Sequence, residues 1–516
     1  MSKPIIKLRN TWSVVEKIPY EVAEELYELL SFDVPGAHWS PKYIDNVIDE
    51  EEKKNAWDGK IHLFYKGGNV FLTGLTFKVC EFFKNEYGII PELIWEMTEP
   101  RKNLNLQWNE KDFSLRPYQK EIVSNCIKKK RAIIEACTGS GKTLMIGKII
   151  QELGVSPFVF YVLTKDLMYQ SKKMLEKTIL GLEVGLIGDG KCDIRDVTIV
   201  TVQSAIASFE KSLTKKMLKE IQESAEMDDN EFKEFKKENL DHVQKKREDI
   251  QNFIKSANGI YADEVHHYSS KTCKSIILKS KKAFYRFGGS ATPTRADNSY
   301  LTIEGLFGRK TAIVTASDLI LKGYLTKPTI RFIELKEKQK WVNTWDQDRS
   351  AHIVENETRN ECVIKLANDF SKRNIQTLIL VQLIKHGKDL EKRIPNSVFI
   401  YGGSSKKKRE QALEDIQSGK LKILIGSTIA DEGLDIPALS ALILAGGGKS
   451  PTRAKQRVGR VIRKGSSQAL VYDFIDDGKW SYDHSKERLK ILKEEPEFDV
   501  KVISVKDVLS PYKDLF

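Results

Sequence analysis

No stretch of this 516-residue chain approaches the roughly 20 consecutive apolar residues that a membrane-spanning helix requires, so the sequence reads as soluble with no membrane partner. The N-terminal residues Met1-Ser2-Lys3-Pro4 lack the apolar core of a secretory signal, and a cytosolic setting is expected. Cysteines are few and scattered. Cys80, Cys126, Cys137, Cys192, Cys273 and Cys362 form no C-x-x-C pair, which excludes a zinc ribbon or a disulfide framework and leaves buried thiols as the expectation. Internal repeats and low-complexity tracts are also missing.

With 41% hydrophobic and 30% charged residues the chain is globular, and its length predicts about three domains. Lys and Arg exceed Asp and Glu by 84 − 72 = 12, an excess that suits a polyanionic partner and equally a basic soluble protein. From residue 113 onward, short apolar runs at 132–136, 158–163, 197–201, 259–262 and 284–290 alternate with helical segments. Continuous apolar strands separated by helices predict a parallel sheet covered on both faces. The same rhythm restarts after Pro328, at 377–381, 398–401, 423–425, 441–444 and 470–474. The expected fold is therefore α/β: two tandem parallel-sheet domains at 106–325 and 326–516, the second with a C-terminal extension. A small N-terminal α+β domain at 1–105 precedes them; it is rich in aromatics, and Trp57-Asp58-Gly59 and Lys66-Gly67-Gly68 read as hairpin turns. The Lys- and Glu-dense stretch 209–256 carries apolar triplets at helical spacing, Met217-Leu218-Ile221 and Ile250-Phe253-Ile254, on either side of Asp228-Asp229-Asn230. It reads as an inserted helical hairpin, either a solvated spacer or a nucleic-acid pin.

The strongest local signal is Ala136-Cys137-Thr138-Gly139-Ser140-Gly141-Lys142-Thr143, between a predicted strand and a predicted helix. In such a loop backbone N–H groups around Gly139, Ser140 and Gly141 wrap phosphates, Lys142 places a cation on the outer ones, and the Thr143 hydroxyl holds Mg²⁺. Asp263-Glu264-Val265-His266 closes another predicted strand, where Asp263 binds the metal and Glu264 activates the attacking water. ATP and Mg²⁺ are the expected cofactors.

The phosphate loop, then D-E-x-H, then Ser290-Ala291-Thr292-Pro293, in that order, resembles the DExH helicases of superfamily 2, and the resemblance spans about 113–476. It implies two RecA-like domains and an ATP-dependent helicase. Leu115-Arg116-Pro117-Tyr118-Gln119 is similar to that family's adenine-reading motif, which implies ATP contacts from Arg116 and Gln119, with Thr138 in the loop that follows. Gln456-Arg457-Val458-Gly459-Arg460-Val461-Ile462-Arg463 is similar to its arginine-finger motif. On a helix Arg460 and Arg463 share one face, and both are expected at the γ-phosphate. Ser427-Thr428 and Asp431-Glu432-Gly433-Leu434-Asp435 resemble the motif that links nucleic-acid grip to ATP state, implying Gly433 and Asp435 at the nucleotide and Thr428 at nucleic acid. His266, Ser290, Thr292 and Gln456 are the implied coupling residues.

By the same resemblance Thr164, Lys165, Thr201, Gln203 and Ser204 contact nucleic-acid phosphates, although each is equally a strand-end turn. Thr294-Arg295-Ala296-Asp297 is similar to the R-E-D element of the XPB-like branch, with Ala296 in place of the central acid and Arg295 as a DNA contact. Asn55-Ala56-Trp57-Asp58-Gly59-Lys60-Ile61 is similar to the N-W-D-G-[RK]-I stretch of UvsW-type phage helicases, and Trp57 suits a hairpin core as well as a base contact. The resemblance implies a monomeric helicase or translocase acting on forked, branched or single-strand/duplex junction DNA, and on RNA in RNA–DNA hybrids. Its setting would be the host cytoplasm if phage-encoded. Fork regression, Holliday junction branch migration and unwinding of forks and R-loops, during recombination, repair or replication, are the implied reactions. Three alternatives stay open: a duplex translocase that separates no strands, an RNA helicase, and an ATP-switched annealing or binding protein.

Overall fold

In the computed structural model the described residues are 2–46, 56–210, 229–291, 299–336, 341–427, 439–448, 451–462 and 468–510, with the backbone alone along 229–242 and at 406, 451 and 452. The chain divides into two compact units, Met1–Glu135 with Gly141–Ile313, and Ala136–Ser140 with Val314–Phe516.

The first unit is built on an eight-stranded sheet. Its order is Lys191–Asp193, Val184–Gly188, Val197–Thr201, Phe158–Val162, Gly259–Asp263, Tyr285–Ser290, Arg131–Ala136 and Lys310–Val314. The neighbours from Val184–Gly188 through Arg131–Ala136 all pair in parallel, and Lys191–Asp193 folds back antiparallel. Phe158–Val162 and Val197–Thr201 are buried at every residue, which is what uninterrupted apolar strands require when helices cover both faces. The helices Lys142–Leu153 and Lys165–Thr178 return the chain between parallel strands. In the expected insertion one helix is described, Asp229–Ser256; its apolar triplet Ile250, Phe253 and Ile254 is buried, whereas Met217-Leu218-Ile221 lies outside the described residues.

The second unit holds a seven-stranded sheet in the order Ser397–Ile400, Ile423–Gly426, Thr377–Leu380, Ala441–Leu444, Leu470–Ile475, Thr329–Glu334 and Asp499–Ser504, parallel throughout. Beside it runs a buried ionic lattice. Arg488 donates to both carboxylate oxygens of Asp473 at 2.8 and 2.9 Å, and Arg359 donates to Asp476 at 2.9 Å. Both guanidiniums also bond carbonyls, of Gly448 and Ala445 respectively, so the charges are paired and their spare donors used.

The N-terminal α+β part is a mixed sheet in the order Phe64–Tyr65, Val70–Leu72, Trp12–Glu16, Ile5–Leu8 and Glu92–Trp95, packed with helices Tyr20–Leu29 and Thr76–Tyr87. Phe64–Tyr65 and Val70–Leu72 form a hairpin around Lys66–Gly68, as expected. The Asp58–Gly59 expectation is corrected for the described residues: among them strand Lys60–His62 pairs with Ser31–Asp33 and with no strand across the turn. The motif is instead a local brace. Asp58 accepts the Lys60 amide at 3.0 Å and bonds His62 at 2.6 Å, and the Trp57 indole donates to the Lys60 carbonyl at 2.7 Å. Burial opposes ionisation of Asp58, yet the Lys60 amide and the His62 ring hold its carboxyl below the ordinary value. Gly59 has φ 79°, and a Cβ there would lie 2.8 Å from the Tyr43 ring.

This N-terminal part shares one hydrophobic core with the first sheet: Leu72, Leu75 and Phe83 belong to the same buried cluster as Ile133, Ile303 and Phe307. Gly74 closes the joint. A Cβ on it would meet the Glu304 carbonyl at 2.1 Å, the Gly305 carbonyl at 2.7 Å and the Gly308 amide at 2.8 Å. Arg286, 1% exposed, donates to the carbonyls of Ala283 and Ser280 and to the Thr11 hydroxyl, and Arg131 donates to the Asn10 carbonyl. Burial drags the Arg286 guanidinium down to about 10.

Of the cysteines only Cys126 and Cys362 are buried, their thiols pushed up to about 12 by desolvation; the other four are half-buried, correcting the expectation of uniformly buried thiols. Among the described residues no helix is long and apolar enough to cross a membrane.

Candidate nucleotide and nucleic-acid site

Because the central strands of the first sheet are parallel, their carboxyl ends share one edge, and the register there is explicit: Ser290 pairs with Glu135, Asp263 with Gly289, and Val162 with Thr201. The loops that leave this edge carry the predicted motifs. Arg131–Ala136 runs into the phosphate loop, and helix Lys142–Leu153 begins on Gly141 as its cap. Gly139 and Gly141 both sit at φ 83°, a region that strains residues with a Cβ. At Gly141 there is a second constraint, since a Cβ would lie 2.5 Å from Gln119 Nε2. Ser140 is fully buried, whereas Thr138 and Thr143 are half-buried.

Gln119 is 3% exposed, and its Oε1 accepts the Arg116 amide at 2.8 Å while its own backbone amide donates to the Arg116 carbonyl at 3.0 Å, closing the start of helix Pro117–Lys129. Its oxygen is thus used locally while its amide nitrogen faces the phosphate loop.

Asp263 ends its strand, accepting from Tyr261 Oη at 3.3 Å and from the Glu264 amide at 3.1 Å. Burial raises its carboxyl above the ordinary range, and the charge of Lys142 pulls the other way. Glu264 stands at φ 49° and ψ 55°, a left-handed conformation uncommon for a residue with a side chain and one that re-aims the carboxylate. Glu264 Oε2 accepts the Ser290 hydroxyl at 3.3 Å, and the same hydroxyl lies 2.9 Å from His266 Nδ1, with His266 only 9% exposed. The D-E-x-H segment and Ser290 therefore meet through two hydrogen bonds that share the Ser290 hydroxyl. Sequence reasoning missed Tyr261. Its signal was the Gly288-Gly289 pair inside a buried strand, for a Cβ on Gly289 would fall 2.2 Å from Tyr261 Oη.

Along the same edge Thr164 caps helix Lys165–Thr178 and accepts the Leu167 amide at 3.3 Å, and Thr201 caps helix Val202–Phe209 and accepts the Ser204 amide at 3.4 Å. Thr201 also donates to Ser204 Oγ at 2.9 Å and is buried, Gln203 is exposed, and Lys165 lies 3.5 Å from Asp189. The Thr164 and Thr201 hydroxyls thus serve as helix caps, each beside a helix N-terminus.

In the second unit Gln456 is half-buried on helix Pro451–Val458, with Arg457 buried beside it. The expectation that Arg460 lies on a helix face is corrected. After Gly459 the bonding tightens to Arg460 N–Arg457 O and Val461 N–Val458 O, both 3.1 Å, so Arg460 sits on a turn; Gly459, a weak helix former, marks the change. Arg463, Gly433, Asp435, Thr428, Thr292 and Arg295 lie outside the described residues.

A glycine phosphate loop beside a half-buried acidic pair, at the carboxyl edge of the first of two RecA-like sheets, defines a P-loop nucleoside triphosphatase. Residues 112–295 match the family described as type III restriction enzyme, res subunit, and residues 358–465 match the helicase conserved C-terminal domain. The DNA 3'-5' translocase XPB2 of Sulfurisphaera tokodaii is 24% identical over 416 residues, covering 72% of this chain and 84% of that protein. The ATP-dependent DNA helicase uvsW of Enterobacteria phage T4 is 24% identical over 474 residues, covering 88% and 86%. The fold also matches Mycobacterium smegmatis helicase Lhr bound to ssDNA and AMP-PNP, with TM-score 0.50, 17% identity, and 78% and 51% coverage. It matches Saccharomyces cerevisiae Dbp5 bound to RNA and ADP BeF3 likewise, with TM-score 0.50, 13% identity, and 78% and 97% coverage. The chain is an ATP-dependent helicase of superfamily 2, similar to the UvsW and XPB helicases.

Proposed function

We propose that this helicase remodels branched DNA: it regresses forks, migrates Holliday junctions and unwinds forks and R-loops, working as a monomer in recombination, repair or replication. The observation that carries the reading is that similarity to uvsW extends over 88% of the chain, well beyond the two family-matched segments. The N-terminal α+β part fused to the first sheet supports a role in choosing the substrate.

The residues at the sheet edge fit the expected metal. Asp263 and Thr143 offer hard oxygen donors, and a carboxyl whose ionisation burial opposes gains from a neighbouring cation. When bound, Mg²⁺ supplies charge neutralisation to the ATP phosphates. Lys142 and the N-terminal amides of helix Lys142–Leu153 bind phosphate oxygens. Glu264, aimed by its left-handed backbone and its bond from Ser290, orients the attacking water and takes its proton. Arg460 and Arg463 supply the stabilising cations. The N-termini of helices Lys165–Thr178 and Val202–Phe209, with Gln203 and Thr428, hold backbone phosphates, which carry no sequence information.

The test is ATP hydrolysis and strand displacement on forked, four-way and linear duplexes of equal length, each with DNA and with RNA. Displacement on branched DNA ahead of linear duplex is expected. Hydrolysis without displaced strand on any branched substrate, or stimulation by RNA alone, would sink the reading.

A further inference from the structure

Glu495, 9% exposed, follows helix Lys479–Lys493 and splits its carboxylate between two helices. Its Oε2 accepts the hydroxyl of Ser317, on helix Ala316–Leu321, at 2.9 Å, and its Oε1 accepts Lys455 Nζ, on helix Pro451–Val458, at 2.9 Å. A carboxylate this buried is costly unless both oxygens are matched, and here they are. The two partners are not arbitrary. Ser317 lies in the connector between the sheets, entered directly from strand Lys310–Val314, and Lys455 immediately precedes Gln456 on the helix that leads to Arg460. Further bonds hold the same connector: the Glu497 amide donates to Ser317 Oγ at 3.4 Å, Lys327 pairs with Glu497 at 3.2 Å, and the Thr326 amide donates to the Ile462 carbonyl at 2.9 Å.

We propose that Glu495 is a positioning residue that makes the connector and the Gln456 helix one lever, so that displacement of this helix during the ATP cycle is delivered to the connector. Neither strand Asp499–Ser504 nor helix Lys479–Lys493 needs this clamp for its own hydrogen bonds. Its value lies in joining two elements more than 130 residues apart in sequence. The inference rests on the helicase reading above, because its readout is mechanical output per ATP.

The experiment compares E495A, E495Q, S317A and K455M in the full chain by base pairs displaced per ATP hydrolysed on forked DNA, KM for ATP, and melting temperature. E495A is expected to keep its KM for ATP within about 2-fold while displacement per ATP falls about 5-fold or more, the lower end of typical coupling energies. S317A and K455M, each leaving one arm, are expected to fall between, and E495Q, which retains an acceptor for Ser317, to lose less than E495A. If E495A melts early, the two single-arm variants carry the test. Displacement per ATP at the wild-type value in S317A, K455M and any folded E495A overturns the inference, as does a loss of hydrolysis that matches the loss of displacement in every variant. Wild-type protein that hydrolyses ATP and displaces nothing overturns the helicase reading itself.

Discussion

Ser290 donates its hydroxyl to Glu264 at 3.3 Å, although 25 residues separate them in the chain. With Nδ1 of His266 donating in turn to Ser290, the proposed base is held by a neighbouring strand and a histidine together. Ser290→Ala should leave ATP affinity within about 2-fold and lower kcat about 10-fold, the worth of one hydrogen bond to a charged group. Steady-state hydrolysis at saturating DNA separates the two effects, and an unchanged kcat would show that Glu264 is oriented without Ser290.

Lys142→Ala should abolish turnover, and Glu264→Gln should retain nucleotide binding while slowing hydrolysis by about 100-fold or more, the usual contribution of a positioned base. Binding of a fluorescent ATP analogue alongside single-turnover hydrolysis checks both. Near-normal hydrolysis in Glu264→Gln would move the base elsewhere.

Gly74→Ala should destabilise the first unit by about 3 kcal/mol, the upper end of overpacking costs, because the added methyl meets backbone on three sides and not a side chain that can turn away. Thermal unfolding should fall by roughly 5–10 °C. A change under 2 °C would mean that the joint between the N-terminal part and helix Tyr300–Phe307 is loose.

His386 is buried, its Nε2 3.0 Å from Asn360 Oδ1, and burial, reinforced by the charges of Arg359 and Arg393, pushes its imidazole down to about 3. The folded chain keeps the ring neutral while the unfolded chain protonates it below about 6.5. The contribution is therefore complete above pH 6.5 and is lost as pH falls from there toward 3, about 2 kcal/mol by pH 5. Denaturant titrations at pH 7 and pH 5 should show this loss in wild type and a clearly smaller one in His386→Gln; equal losses would place the titration on another group.

The sheets were legible because their strands are uninterrupted apolar runs: the expected 197–201 is strand Val197–Thr201 and the expected 441–444 is strand Ala441–Leu444. The hairpin of Val184–Gly188 and Lys191–Asp193 was not, since Gly185, Gly188 and Gly190 dilute the periodic signal and their reasons are tertiary, such as Gly188 against Thr201. At the site, residue types and order identified the phosphate loop and the acidic pair. The left-handed Glu264, the capping use of Gln119, Thr164 and Thr201, and the turn at Arg460 depend on backbone conformation, which composition does not encode. The W-D-G stretch was conspicuous in sequence, yet its polar groups are spent on folding its own loop.

Gly74 has a further consequence for building chimaeras. A pocket formed by three backbone groups of 304–308 will accept only a partner shaped for it, so the N-terminal part is no detachable cassette. Exchange with a relative should succeed only if residues 70–75 travel together with helix Tyr300–Phe307, as a plug must travel with its socket.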